Sequence, residues 1–114
     1  MTPDNATPTE NNPSTAKDFI TKGWSEHVNG EHAKSEASFR KALELNAQSI
    51  EAYYGLAMAL KSQNQLQPAI EAFEKVVVGI SADQMKDESA RLSMLRSLAK
   101  TQIEFIRTRT EPNS

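Results

Sequence analysis

His27 and His32 lie in the segment His27-Val28-Asn29-Gly30-Glu31-His32, each directly preceded by a glutamate, Glu26 and Glu31. Imidazoles and a carboxylate on one helix face are the donor set that holds a catalytic zinc ion beside a general base. Such ligands must share a face, and Gly30 breaks any helix between these two histidines. No metal site is expected from them.

Other chemistries lack their residues. The chain has no Gly-rich phosphate loop, no serine nucleophile motif and no paired carboxylates in a recognisable setting, so neither a catalytic residue nor a cofactor is expected. Cysteine is absent, which removes disulfides, zinc–thiolate sites and thiol catalysis. A formal net charge of −2 exerts no general pull on nucleic acid or on a membrane surface. The opening residues have neither the basic nor the apolar region of a targeting segment, and no apolar run approaches the roughly 18 residues of a membrane helix. A soluble cytoplasmic protein is the expectation.

The composition favours helices. With four Gly, five Pro and seven aromatics in 114 residues, only Val76–Val78 argues for strand. Residues 1–15, built from Thr, Asn, Pro and acidic side chains, carry too little apolar surface to offset their ordering entropy and read as a disordered tail. A first helix starts at Ala16 behind Thr15 as cap, carries Phe19, Ile20, Trp24 and Val28, and ends near Asn29. Gly30 then suits a left-handed helix stop.

A second helix holds Ala33, Ala37, Phe39, Ala42, Leu43 and Leu45 up to Asn46, and Ser49 caps a third that carries Ala52, Tyr53, Leu56, Ala57, Ala59 and Leu60 to about Gln63. Asn64 stands where Gly30 stood. Pro68 falls in the first turn of a fourth helix, which places Ala69, Ala72, Phe73, Val76 and Val77 inward and stops about Gly79.

The same offset of 34 separates Phe39 from Phe73, Lys41 from Lys75, Gly30 from Asn64 and Phe19 from Tyr53. A helix–turn–helix unit repeated at that period is the signature of a solenoid. Residues 16–49 form the first unit and 50–83 the second. From Lys86 to about Arg107, Leu92, Leu95, Leu98, Ala99, Gln102, Ile103 and Ile106 make one apolar stripe on a long helix, assigned to 84–108. Stacked units leave their last apolar face open, and a final helix with a polar outer side would cap it. Six basic and three acidic residues between Lys86 and Arg109 read as the solvated face of that cap, and residues 109–114 as a disordered end.

The pattern resembles the tetratricopeptide repeat family. The second unit carries it through Tyr53, Leu56-Ala57, Leu60, Ala69 and Phe73, and the first more loosely through Phe19, Lys22-Gly23, Glu26, Ser35, Phe39 and Ala42. Lys22 and Glu26 depart from it at normally buried positions, as an exposed terminal unit would. His32 takes the turn-packing position that the family often fills with Tyr. The resemblance implies an all-α, right-handed helical solenoid of two helix-turn-helix repeats plus a long C-terminal cap helix. Small residues at Gly23, Ala57, Ser35 and Ala69 would let paired helices approach, while Phe39 and Phe73 would fill the gaps between units.

It further implies a non-catalytic protein–protein interaction module that holds a peptide or a partner's helix in a concave groove lined by the first helix of each unit. Carried onto this chain, the groove comprises Lys17, Ile20, Trp24, His27 and Val28 from unit one, with Glu51, Tyr54, Met58, Lys61 and Ser62 from unit two. Trp24 and Tyr54 are the expected anchors. The competing arrangement packs Trp24 and Met58 beneath the cap helix or the N-terminal tail. The carboxylate clamp by which one subfamily grips chaperone tails is absent, its positions being held by Ile20, Trp24, Gly55, Met85 and Ser89. The alternative function is self-association, with the exposed apolar face buried in a homodimer.

Overall fold

The computed structural model describes residues 13–79 and 82–110, with side chains described for 13–79 and 90–109. The expected disordered tail and chain end lie largely outside the described residues. Among the described residues five helices follow one another: α1 (Ala16–Val28), α2 (His32–Leu45), α3 (Ile50–Ser62), α4 (Leu66–Val78) and α5 (Ala82–Thr110). Among the described residues there is no strand, and Val76–Val78 close α4. The long final helix extends through Arg109 to Thr110.

Local chemistry fixes where the helices start and stop. Thr15 and Asp18 form a reciprocal capping box, the Asp18 N–H donating to Thr15 Oγ1 at 3.1 Å and the Thr15 N–H to Asp18 Oδ2 at 3.2 Å. Both satisfy donors that a helix start leaves orphaned. Ser49 caps α3 by accepting from the Ala52 N–H at 3.1 Å. The two intra-unit turns are built alike. Gly30 (φ 81°) and Asn64 (φ 63°) occupy the left-handed region. Behind them, the N–H groups of Glu31 and Gln65 reach back to the carbonyls of Glu26 and Leu60 at 2.8 and 2.9 Å. That backbone closure uses up helix-end carbonyls and turns the chain into an antiparallel hairpin.

Packing follows the repeat. Gly23, Ser35, Ala57 and Ala69 are buried, and the Ser35 hydroxyl donates to the Gly23 carbonyl at 2.8 Å across the α1–α2 contact. Phe39 and Phe73 are fully enclosed. The Phe39 ring lies over Gly23 of its own unit and Gly55 of the next, so closely that a methyl group at either glycine would overlap it. One ring thereby joins α1, α2 and α3. Leu92, Ala99, Ile103 and Ile106 of α5 complete the core laid down by α3 and α4.

Two expectations need correction. Glu26 is not exposed: it retains 9% of its surface. Its carboxylate accepts from the Ser38 hydroxyl and from Lys22 Nζ, each at 2.6 Å, while Lys22 stays largely in solvent. A buried carboxylate persists where charge-assisted hydrogen bonds replace its water. The outer side of α5 is likewise not wholly polar, since Met94, Leu98 and Phe105 are 56%, 41% and 48% exposed. Leu98 belongs to this outer side, because the buried row at 92, 99, 103 and 106 leaves it on the flank.

Candidate functional site

The inner faces of α1 and α3 carry a connected run of rings. Trp24 and Tyr54 are both half-buried, with centroids 6.3 Å apart and planes tilted by 40°. Trp24 meets the buried Phe39 edge-on at 5.1 Å, and Tyr54 meets the buried Phe73 edge-on at 5.6 Å. Each candidate anchor therefore stands on the wedge of its own unit. Edge-to-face pairs of this kind contribute about 0.5–1.5 kcal/mol beyond the area they bury. They also restrict the rotamers of both rings. Burial raises the Tyr54 hydroxyl above the ordinary tyrosine range, which keeps it a neutral hydrogen-bonding tip on an apolar ring.

Ile20 and Met58 are half-buried against the same core. Lys17, Val28 and Ser62 are exposed. The remaining residues of the expected groove are drawn into specific contacts. Lys61 donates to Gln102 Oε1 at 2.7 Å and lies 5.1 Å from the Phe105 ring centroid. Glu51 is ion-paired with Arg91. Gln102, Phe105 and Arg91 all lie on α5, which thus runs beside α3. Gln102 lies on the apolar stripe expected for α5, and its bond to Lys61 sets that stripe beside α3. Contacts 40 or 41 residues apart do not follow the 34-residue period, so that period could not reveal them.

His27 packs edge-on against Trp24 at 5.8 Å, and across the turn it meets His32 with ring centroids 4.9 Å apart. Burial, reinforced by the neighbouring His32, holds the His27 imidazole below the ordinary histidine range. Below it on α2, Glu36 bonds Gln63 of α3 at 2.9 Å and Arg40 at 2.8 Å. Its burial opposes ionisation, but these donors prevail and leave its carboxyl below the usual range.

Among the described residues, clefts also lie outside the groove. One of about 730 Å³ separates α4 from α5, with Val77, Val78 and Ile103 among charged residues that include the Glu74–Arg107 ion pair at 3.1 Å. Another, of about 190 Å³, is lined by Arg40 with Tyr53, Leu56, Leu60, Pro68, Glu71, Ala72 and Lys75. Moving the last seven back by 34 gives Phe19, Lys22, Glu26, Lys34, Ala37, Ser38 and Lys41, which with Glu44 line a cleft of about 560 Å³. The two clefts are one feature repeated, narrower where α2 of the preceding unit leans in through Arg40. Among the described residues, no three His, Asp or Glu side chains converge as a metal-holding group, and no helix is long and apolar enough to cross a membrane.

A family model described as tetratricopeptide repeat matches this chain twice, over residues 19–49 and 50–77. No curated protein and no solved structure matches significantly.

Proposed function

The chain belongs to the tetratricopeptide repeat family, a non-catalytic repeat that mediates protein–protein interaction, and from that premise we propose that the α1–α3 face binds a peptide or helix of a protein partner. The observation that carries this reading is the Trp24–Tyr54 floor. Two large half-buried rings, one from each unit, are seated on the enclosed Phe39 and Phe73. Aromatic side chains held rigidly in a partly desolvated patch are the usual energetic anchors of an interface. Ile20 and Met58 extend the apolar strip, and Lys17, His27, Val28, Glu51, Lys61 and Ser62 provide its rim. The α5 residues Gln102 and Phe105 fix Lys61 at that rim.

The test is affinity capture from the native cell extract with wild-type protein beside Tyr54→Ala and Trp24→Ala, the fold of each being checked by far-UV circular dichroism. Loss of the same captured partner in both folded variants is the expected result. Undiminished capture by folded variants removes the groove assignment.

A second reading, self-association, rests on Met94, Leu98 and Phe105, three large apolar side chains exposed on α5. Contiguous apolar surface of this kind marks contact sites. Light scattering across a concentration series decides it, because a strict monomer at high concentration excludes a homodimer.

A further inference from the structure

Gly30 separates His27 and His32 along the chain, and the folded turn undoes that separation. Its left-handed backbone (φ 81°) sends α2 back beside α1, and the Gly30 and Glu31 N–H groups lock the reversal onto the His27 and Glu26 carbonyls at 3.0 and 2.8 Å. The imidazole in the last turn of α1 and the one that opens α2 then face each other. Their Nδ1 atoms are 3.3 Å apart and their ring planes are inclined by 61°.

We propose that His27 Nδ1 and His32 Nδ1 together chelate a divalent d-block cation of the zinc or copper type. Imidazole nitrogens bind zinc at about 2.0–2.1 Å, so two of them on a tetrahedral ion stand about 3.3–3.4 Å apart. The turn already holds the two nitrogens at that separation, within a rigid backbone closure. Imidazole donors favour zinc, copper and nickel over the oxygen-seeking magnesium and calcium. Two protein ligands leave the other coordination positions to water, which can reach them because both rings are only half-buried.

In the metal-free protein one ring donates its Nδ1–H to the lone pair of the other. Binding the ion requires the donor ring to carry its proton on Nε2 instead, so both Nδ1 lone pairs point to the metal and no proton leaves the protein. The ion would tie the end of α1 to the start of α2, next to Trp24, whose ring is 5.8 Å from that of His27.

The chain has one tryptophan, and bound Cu²⁺ quenches a fluorophore that close. The experiment titrates the full chain with Cu²⁺ while following Trp24 emission, then adds Zn²⁺ or Mg²⁺ as competitor. In parallel, histidine ring signals are followed by NMR during Zn²⁺ addition. The expected result is quenching that saturates at one equivalent, reversal by Zn²⁺ but not Mg²⁺, and joint movement of both histidine signals. His27→Gln and His32→Gln should each abolish the saturable quenching. Stationary histidine signals in the wild-type protein overturn the proposal without recourse to any variant. Full quenching retained by either folded variant overturns it as well.

Discussion

Gly55 sits in the middle of α3, where replacing glycine by alanine ordinarily stabilises a helix by about 1 kcal/mol. Here the opposite sign is expected. A Cβ on residue 55 would overlap three atoms of the Phe39 ring, and the ring cannot retreat, because its other edge lies where a Cβ on Gly23 would stand at 2.8 Å. Phe39 has no exposed surface through which to relieve the overlap. Overpacking a well-filled core costs about 1–3 kcal/mol, and a ring clamped between two helices belongs at the upper end. Subtracting the propensity gain leaves Gly55→Ala destabilised by roughly 2 kcal/mol. For a domain of this size that is a fall in Tm of about 8–16 °C. Urea unfolding followed by far-UV circular dichroism and by Trp24 emission measures it. Repeating Gly55→Ala in a Phe39→Leu background should remove most of the penalty, giving a coupling of about 1 kcal/mol or more between the two positions. A Gly55→Ala variant as stable as the wild type would refute the wedge argument.

The two turn residues offer a contrast. Gly30→Ala meets no neighbouring atom, so its expected cost of about 1–2 kcal/mol comes from the left-handed backbone alone, whereas Asn64→Gly should be neutral or stabilising in the same denaturation assay. Thr15→Ala should cost about 1 kcal/mol by removing the α1 cap, seen as faster amide exchange in the first turn of that helix. The Ser14 N–H, opposed by slight desolvation and helped by the Thr15 N–H and hydroxyl, lowers the Asp18 carboxyl below its ordinary value. A depressed folded-state pKa means that this contribution is present above the unfolded-state value and lost as pH falls through the folded one. An NMR titration should therefore show Asp18 protonating below the ordinary aspartate range in the wild type, with the depression reduced in Thr15→Ala.

Helix limits, the two left-handed turns, the close contacts at Gly23 and Ser35 and the wedge Phe39 could be read from the sequence because each follows from a local rule or from the 34-residue offset. Gly55 as the seat of Phe39 could not. In a helix, glycine reads as a weakness, and only the ring direction of a neighbouring hairpin makes it a requirement. Glu26 failed for a similar reason: its class suggests solvent, and the Ser38 hydroxyl that satisfies it comes from the facing helix. The contact of His27 with His32 is not legible either, because Gly30 breaks the helix between them and only the closed turn brings the two rings together. For the candidate groove, the positions implied by the family resemblance include Trp24 and Tyr54, which stand at different phases of the repeat, Trp24 matching Met58 and Tyr54 matching Ile20, and whose rings lie 6.3 Å apart. The hold of α5 on Glu51 and Lys61 depends on how a non-repeating helix docks, which no period encodes.

The repeated cleft has a consequence for how copies of the chain can meet. Where unit two presents Leu56, Leu60 and Ala72 toward its predecessor, unit one presents Lys22, Glu26 and Ser38, already bonded to one another. Covering that face with an apolar surface would strip water from charges without offering them new partners. The large apolar side chains exposed on α5 are instead Met94, Leu98 and, beside Lys61 of α3, Phe105. Head-to-tail stacking needs both ends to be adhesive and would propagate into a filament, whereas a molecule adhesive at one end only can pair about a two-fold axis and then stop. In the self-association proposed above, the bond between Glu26 and Ser38 would act as a chain terminator in the polymer sense, favouring closed pairs over filaments.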